Sequence, residues 1–385
     1  MKKEDPKNSI VYVNFAPYDN AGKILDFLVA NFSLVVHFSF DFHKLNRKHS
    51  SNIICVYKNG RVLDAIPLIQ IKTPESLLFI TLPFRALLIA FIIFFYLFLL
   101  QKKYGRFYYY FTVNAYTAWI GNVCRRLDMV KKTIFWLWDY YPPGNSDWKV
   151  RIASYLYRRF DKIAAFSSNK IFFLSKRLEE LRRSHGGLSP NQKYEIIPIA
   201  TDPKKYRMKK PKIIGHFGVL KKNQGLDYLF DSLRLLARAK MTFKFEIVGS
   251  GPDEEYFKNR AKEFGKSVRF YGFIEDESKL QKIVSKWRVG LALYMPGEKN
   301  VSYWTDPSKI KYYLSQGVPT ITTNVISFAK EVMSHNAGII VPYGDKKALI
   351  ASIETMINNY KKYGDNAYML AKKYNYLTLY PRFFK

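Results

Sequence analysis

Lys309 stands in TDPSKIKYYLSQGVPTITT (305–323), in the first turn of what reads as a helix. Helix N-termini carry partial positive charge and free N–H groups. A cation belongs there when an anion such as a phosphate sits between the two; the alternative is a solvated lysine. Asp306 and Ser308 flank it in the same turn. Three upstream stretches have matching chemistry. In GHFGVLKKNQGLD (215–227), Gly218 permits close backbone approach, and Lys221 and Lys222 suit phosphate oxygens. In EIVGSGPDEEYF (246–257), Gly249 makes a tight turn before Pro252 and an acidic helix start. In VRFYGFIEDESKL (268–280), Gly272, Phe273 and Ile274 follow a short strand, where backbone groups can read the edge of a ring. Each alone is also an ordinary loop or helix cap. Elsewhere, Asp139 in WLWDYYPP ends a strand, where a carboxylate can orient or deprotonate a hydroxyl. Asp19 in FAPYDNAGK, next to Gly22, is the second such carboxylate. His216 borders the first glycine loop and can reach a phosphate. His37 and His43 read more simply as packed or exposed.

The elements that must position these residues alternate between strand and helix. Strands are expected at 9–16, 33–40, 106–114, 133–140, 162–168 and 193–200, with a hairpin over 52–69 turning at Asn59-Gly60. Helices are expected over 20–31, from 115 to about Leu127, and over 148–160. The basic, Pro-containing stretch TDPKKYRMKKPK (201–212) reads as a linker, after which the alternation restarts. This is α/β: two Rossmann-like, doubly wound domains facing each other across a cleft, since such sheets bind ligands beyond their strands' carboxyl ends. The expected division is 1–203, 204–360, and a tail over 361–385 packing back on the first domain.

Composition narrows the partners. The chain has 385 residues, is 48% hydrophobic, and carries 62 Lys and Arg against 31 Asp and Glu, a formal charge of +31. Such a chain seeks polyanions: nucleic acid, acidic lipid, or phosphorylated substrates. The basic residues are spread throughout, with no nucleic-acid motif, so no nucleic-acid partner is expected. Cys55 and Cys124 form no disulfide framework or metal cluster, which suits a reducing cytosol. No secretory signal is expected at the N-terminus. ALLIAFIIFFYLFLL (86–100) spans about 22 Å as a helix, short of a hydrocarbon core of about 30 Å. Strands of one sheet lie on both sides of it, which argues against crossing. Arg85, Lys102, Lys103, Arg106 and nearby tyrosines suit headgroup depth. The segment is therefore expected to lie in the membrane surface as part of a helix over 84–104; a fully buried core helix is the alternative.

Taken in order, the strand–Gly-loop–helix, IVGSGP, VRFYGFIED, DPSKIKYYLSQGVPTITT and AGIIVPYGD resemble the nucleotide-sugar domain of GT-B glycosyltransferases, family four in particular, over about 211–359. FWLWDYYPP (135–143), FDKIAAFSSNKIFFLSKRLEELR (160–182) and IIPIATDP (196–203) look like a membrane-seated subgroup with lipid-linked acceptors. The resemblance implies a donor diphosphate at Gly218, Lys309 and Lys221 or Lys222, and a base-reading loop at Gly272, Phe273 and Ile274. The family's basic residue before the next glycine is Gln224 here, so the load is expected to shift to Lys222. Tyr312 occupies the position of the ribose-binding glutamate; Glu298 and Asp306 keep the family's glutamate spacing but lie upstream. The expected activity is transfer of a sugar from a nucleotide diphosphate sugar to a hydroxyl of a lipid-linked or other glycan acceptor on an anionic membrane surface. It would be retaining, without cofactor and, lacking any DxD sequence, without a divalent metal, in the cytoplasm on the inner face of the cell membrane. The competing expectations are a degenerate nucleotide-sugar-binding scaffold and a basic nucleic-acid-binding protein. Oligomeric state is not legible in the sequence.

Overall fold

A computed structural model of the chain describes residues 8–16, 18–41, 52–69, 77, 79–143, 148–188, 194–204, 210–238, 244–297, 301–304, 306 and 308–385. The chain divides into two compact units: Met1–Pro198 with Tyr380–Lys385, and Ile199–Leu379.

The first unit is built on eight strands: β1 (Ser9–Phe15), β2 (Leu34–Phe40), β3 (Ile53–Lys58), β4 (Arg61–Pro67), β5 (Phe107–Thr112), β6 (Val130–Leu137), β7 (Lys170–Phe173) and β8 (Tyr194–Ile196). They are ordered β4-β3-β2-β1-β5-β6-β7-β8. From β2 to β8 all neighbours pair parallel; β3 and β4 add an antiparallel hairpin at one edge. Its turn at Asn59-Gly60 has positive φ at both residues, as the sequence predicts. Central strands such as FYYYFT of β5 are buried throughout, the pattern of a parallel sheet covered on both faces. The helices are α1 (Ile24–Asn31), α2 (Leu82–Tyr104), α3 (Ala115–Arg126), α4 (Trp148–Ser167) and α5 (Lys176–Ser184).

Two expectations change here. The strand expected at 162–168 is the last part of α4, and the strand is Lys170–Phe173. The run KIAAF suits either period; Ala164 and Ala165 are buried, and Asn122 of α3 donates to the Ala164 carbonyl at 3.3 Å, so packing on α3 decides for helix. The apolar segment is α2, 23 residues long. Ile89, Ile92, Ile93, Leu97 and Leu100 enter the same core as Val11, Val36 and Phe107. Phe84, Leu87, Phe91, Phe95 and Phe98 are exposed. The helix is thus half core element and half bare apolar surface.

The second unit carries β9 (Ile213–Phe217), β10 (Lys244–Val248), β11 (Val268–Phe270), β12 (Val289–Ala292), β13 (Thr320–Thr323) and β14 (Gly338–Val341). They lie in the order β11-β10-β9-β12-β13-β14, all parallel, the doubly wound arrangement expected. Its helices are α6 (Leu226–Arg238), α7 (Glu254–Ala261), α8 (Glu277–Val284), α9 (Ser308–Ser315), α10 (Ala329–Ser334), α11 (Lys346–Asn358), α12 (Tyr360–Lys373) and α13 (Tyr376–Leu379).

The unit boundary and the tail differ from expectation. Residues 199–203 belong with the second unit: the Ile199 N–H binds Asp306 at 2.7 Å, and the Thr201 N–H binds the Tyr374 carbonyl at 2.8 Å. The tail expected over 361–385 divides. Ala367, Leu370 and Ala371 of α12 share a core with Ile310, Tyr313 and Leu314 of α9. Only Tyr380–Lys385 joins the first unit. There Tyr380 and Phe383 are fully buried, with Phe383 4.9 Å from the Trp136 ring and 4.7 Å from Phe172. Phe384 packs on Phe32 and Tyr109. The final residues are therefore part of the first unit's core, and Phe383→Ala should destabilise it by about 3–5 kcal/mol, read as a lower denaturation midpoint; an unchanged midpoint would show the tail to be dispensable.

Candidate functional site

The strand order places the reversal of winding in the second unit between β9 and β12. These strands pair only at Ile214/Val289 and Gly215/Gly290. Beyond that they separate, and the Tyr313 hydroxyl from α9 bridges them: it accepts from the Phe217 N–H at 2.8 Å and donates to the Leu291 carbonyl at 3.2 Å. Gly290 makes room for that ring; a Cβ there would meet Tyr313 at 2.6 Å. His216 lies in the same gap, buried, and its Nε2 is without a partner among the described residues. Burial first, then the nearby Lys309 charge, holds its pKa well below the usual histidine range.

The loops after β9, β10 and β11 converge beside this gap. The Gly218 N–H donates to the Val248 carbonyl at 3.0 Å, and the Gly249 N–H to the Gly272 carbonyl at 2.8 Å. Gly249 has φ 134°, and a Cβ on it would lie 1.9 Å from the Gly218 carbonyl oxygen. Only backbone fits between these loops. Lys309, in the first turn of α9, lies against Gly218: a Cβ there would meet its Cε at 2.8 Å. The Lys309 ammonium donates to Gln224 Oε1 at 3.2 Å and lies 5.3 Å from the Tyr294 ring. Among the described residues no carboxylate pairs with it. Burial alone pushes its pKa down to about 7. A nearly dry cation, backbone glycines and the start of a helix together make a site for a compact anion.

Other expected residues divide. Phe273 is exposed and Ile274 half-buried on the loop tied to Gly249 through Gly272. Ser308 begins α9 and is exposed. Lys221 is exposed. Lys222 is exposed; its Nζ lies 4.4 Å from the Tyr256 ring, and its N–H binds Asp253 at 2.9 Å. Gln224 faces Lys309 instead, because Gly225, at φ 74°, seats this turn against the Leu293 carbonyl. Asp306 is not at the anion site. It forms a buried ion pair with Lys311 and accepts the Ile199 N–H, so it holds the start of the unit in place. Tyr312 packs its ring 5.5 Å from Phe217, and its buried hydroxyl is without a partner among the described residues. Burial, then the Glu277 carboxylate, raises its pKa. His43 and Glu298 lie outside the described residues.

In the first unit Asp139 follows β6. The Tyr157 hydroxyl of α4 donates to its backbone carbonyl at 3.2 Å, and Arg158 of α4 donates to the Tyr141 carbonyl at 3.1 Å. Its carboxyl has no hydrogen-bonding partner among the described residues, and burial lifts its pKa to about 6, a range useful for a proton acceptor. Asp19, after β1, is engaged by His37: Nε2 lies 3.2 Å from its carboxylate. His37 stacks on Tyr12 at 5.1 Å, and the Tyr12 hydroxyl donates to the Asp19 carbonyl. No local signal marks this cluster, since β1 and β2 are adjacent only through the sheet. Tyr294 and Tyr313 were missed for the same reason.

Residues 211–359 match the family described as Glycosyl transferases group 1. No curated protein matches the chain. Among solved structures, sucrose-phosphate synthase from Thermosynechococcus elongatus is 17% identical, with a TM-score of 0.63 over 97% of both chains. The lipopolysaccharide outer core galactosyltransferase WaaB is 15% identical, with a TM-score of 0.52 over 76% of this chain and 77% of its own. HepE of Anabaena, in complex with UDP, is 16% identical, with a TM-score of 0.53 over 74% and 80%. At these identities the likeness is one of fold.

Lys309 makes a pH prediction independent of any ligand. Its folded pKa, about 7, lies below the ordinary 10.5, so the unfolded chain binds more protons between those values and stability rises with pH across them. Below about 7 the buried charge costs stability in full. Lys309→Met should therefore raise Tm at about pH 6, with the gain shrinking towards about pH 10; a gain independent of pH would show that the ammonium is not penalised by burial.

Proposed function

We propose, from the match of residues 211–359 to glycosyl transferases group 1 and from the GT-B fold, that the protein transfers a sugar from a nucleotide diphosphate sugar to a hydroxyl of a lipid-linked glycan at a membrane surface. The observation that carries the donor half is the buried Lys309 ammonium against Gly218, where α9 begins. A leaving diphosphate gains most from fixed cations and N–H donors in a site with little water. Lys309 supplies the charge, the Gly218 and Gly249 loops the close backbone approach, and the exposed Phe273 ring a face for the base. Tyr312 replaces an acidic ribose ligand with an aromatic wall.

The acceptor side is assigned to the first unit, with Asp139 as the group that takes the hydroxyl proton. Its raised pKa fits that role: the base is ready above about 6 and lost as pH falls through that value. Membrane contact is supported by the bare outer face of α2 and the charge of +31, which favour an anionic bilayer on the cytoplasmic side. The reading includes no cofactor and no catalytic metal. Retention of anomeric configuration rests on the family resemblance.

The protein should gain thermal stability with one of UDP, GDP, ADP or CMP, by the mass action of binding to the folded state alone. Lys309→Ala should remove that gain while leaving the ligand-free fold intact. No stabilisation by any of the four would overturn the donor assignment. Asp139→Asn should lower kcat by roughly 10²–10⁴-fold with nucleotide affinity unchanged; unaltered turnover would remove Asp139 from the reaction.

A further inference from the structure

A carboxylate with no donor beside it is driven towards water, because burial penalises its charged form. Asp139 is in that position, on a segment outside any helix or strand, where the backbone could relax outward. The loop is held against that tendency at three consecutive residues. Tyr140 is buried, with the Arg182 guanidinium of α5 5.5 Å from its ring and the His185 ring also at 5.5 Å. Arg182 is itself fixed by a buried ion pair with Asp161 of α4. Gly187 leaves room for it, since a Cβ there would lie 1.3 Å from its Nη1. Tyr141 gives its carbonyl to Arg158 at 3.1 Å, and its ring meets Tyr157 edge-on at 5.0 Å. Asp139 itself is held through its backbone, by the Tyr157 hydroxyl that donates to its carbonyl at 3.2 Å.

That hydroxyl is used twice. The Ala115 N–H, at the start of α3, donates to it. β5 and β6 are neighbours in the sheet, so Ala115 and Asp139 follow adjacent strands, and one side chain from α4 joins them. Ala115 is a firm anchor: it is fully buried and opens a helix that Asn114 caps by accepting the Tyr116 N–H at 2.9 Å. An amide, a hydroxyl and a carbonyl in series polarise one another. Removing the hydroxyl frees both ends at once.

We propose that Tyr157 is the positioning residue of Asp139: its hydroxyl ties the Asp139 backbone to the start of α3 and so keeps the carboxylate out of water, in place to take the proton of the acceptor hydroxyl. The proton-accepting role rests on the transferase reading, while the restraint rests on the hydrogen bonds alone.

The experiment is the pH profile of the Tm change caused by Asp139→Asn in the full chain, first with Tyr157 and then with Tyr157→Phe, which keeps the ring against Tyr141 and removes only the hydroxyl. With Tyr157 present, burial raises the Asp139 carboxyl from 3.8 to about 6. Its ionisation then costs stability as pH rises through that interval. Asp139→Asn should therefore raise Tm by an amount that grows from about pH 4 and is constant above about pH 6. With Tyr157→Phe the carboxylate reaches water, and the gain should fall about threefold or more and level off nearer pH 4. The other ionisable groups about the loop, Tyr18, Tyr140, Tyr141, Arg158, Asp161 and Arg182, are common to both members of each pair, so their titration cancels. A lower Tm in Tyr157→Phe with the Asp139→Asn profile unmoved would make Tyr157 a packing residue and overturn the proposal. So would a gain without pH dependence while Tyr157 is present. Arg158→Gln frees the Tyr141 carbonyl but spares the Tyr157 hydroxyl, and should leave the profile in place; an equal shift there would overturn the assignment to Tyr157. Nucleoside diphosphate stabilisation of the same proteins separates the two readings. A moved profile in a protein that none of the four nucleotides stabilises rejects the transferase reading and supports the restraint; an unmoved profile in one that a nucleotide stabilises rejects the restraint alone.

Discussion

A lysine ammonium buried without a counter-ion among the described residues is the constraint on which the second unit turns. Lys309 sits where α9 begins, against Gly218, beside Gln224 and the Tyr294 ring. Such a charge is expensive in an empty site and useful in an occupied one, because burial that lowers its pKa also strengthens its grip on an anion. Much of the surrounding structure exists to permit it. Gly218 and Gly249 leave out the side chains that would fill the space. Gly225 seats the turn that presents Gln224. Tyr313 ties β9 to β12 where their own pairing has stopped. Lys210, buried under the end of α9, donates to the Gln316 and Gly317 carbonyls and holds the helix from the other end.

The neighbouring lysine shows the contrasting use of the same chemistry. Lys311 is as deeply buried as Lys309, but Asp306 and the Ile199 carbonyl receive it. Its pair is closed and serves the fold. Two lysines two residues apart thus have opposite roles, and the difference lies in what the rest of the unit sets beside them.

In the first unit the governing fact is that helices serve the core and the surface at once. α2 gives Ile93 and Leu97 to the sheet and leaves Phe91 and Phe95 bare. α4 packs Ala164 and Ala165 on α3, clips the Asp139 loop through Tyr157 and Arg158, and turns an apolar, basic face outward. The carboxylate and the outer face are therefore mechanically joined. The terminal Tyr380, Phe383 and Phe384 close the other side of the same sheet.

Both doubly wound sheets, the Asn59-Gly60 hairpin and the glycine loops around Lys309 were legible in the sequence, because each depends on local signals: buried β runs, turn residues with positive φ, and a cation in a first helical turn. Less was legible where periodicity was ambiguous or where partners meet only through the sheet. KIAAF became helix through contact with α3. Lys222 turned to Tyr256, while Gln224, the apparent departure, took the place beside Lys309. Asp306 was lost to Lys311, and His37 joined Asp19 across two strands. The sequence by itself determined which residues were available and which segments pair or coil, since those follow from short-range stereochemistry and hydrophobic period. Which cation stays unpaired, which carboxylate stays unbonded and which apolar face stays bare were decided only by the tertiary structure, because burial and partnership are properties of residues far apart in the chain.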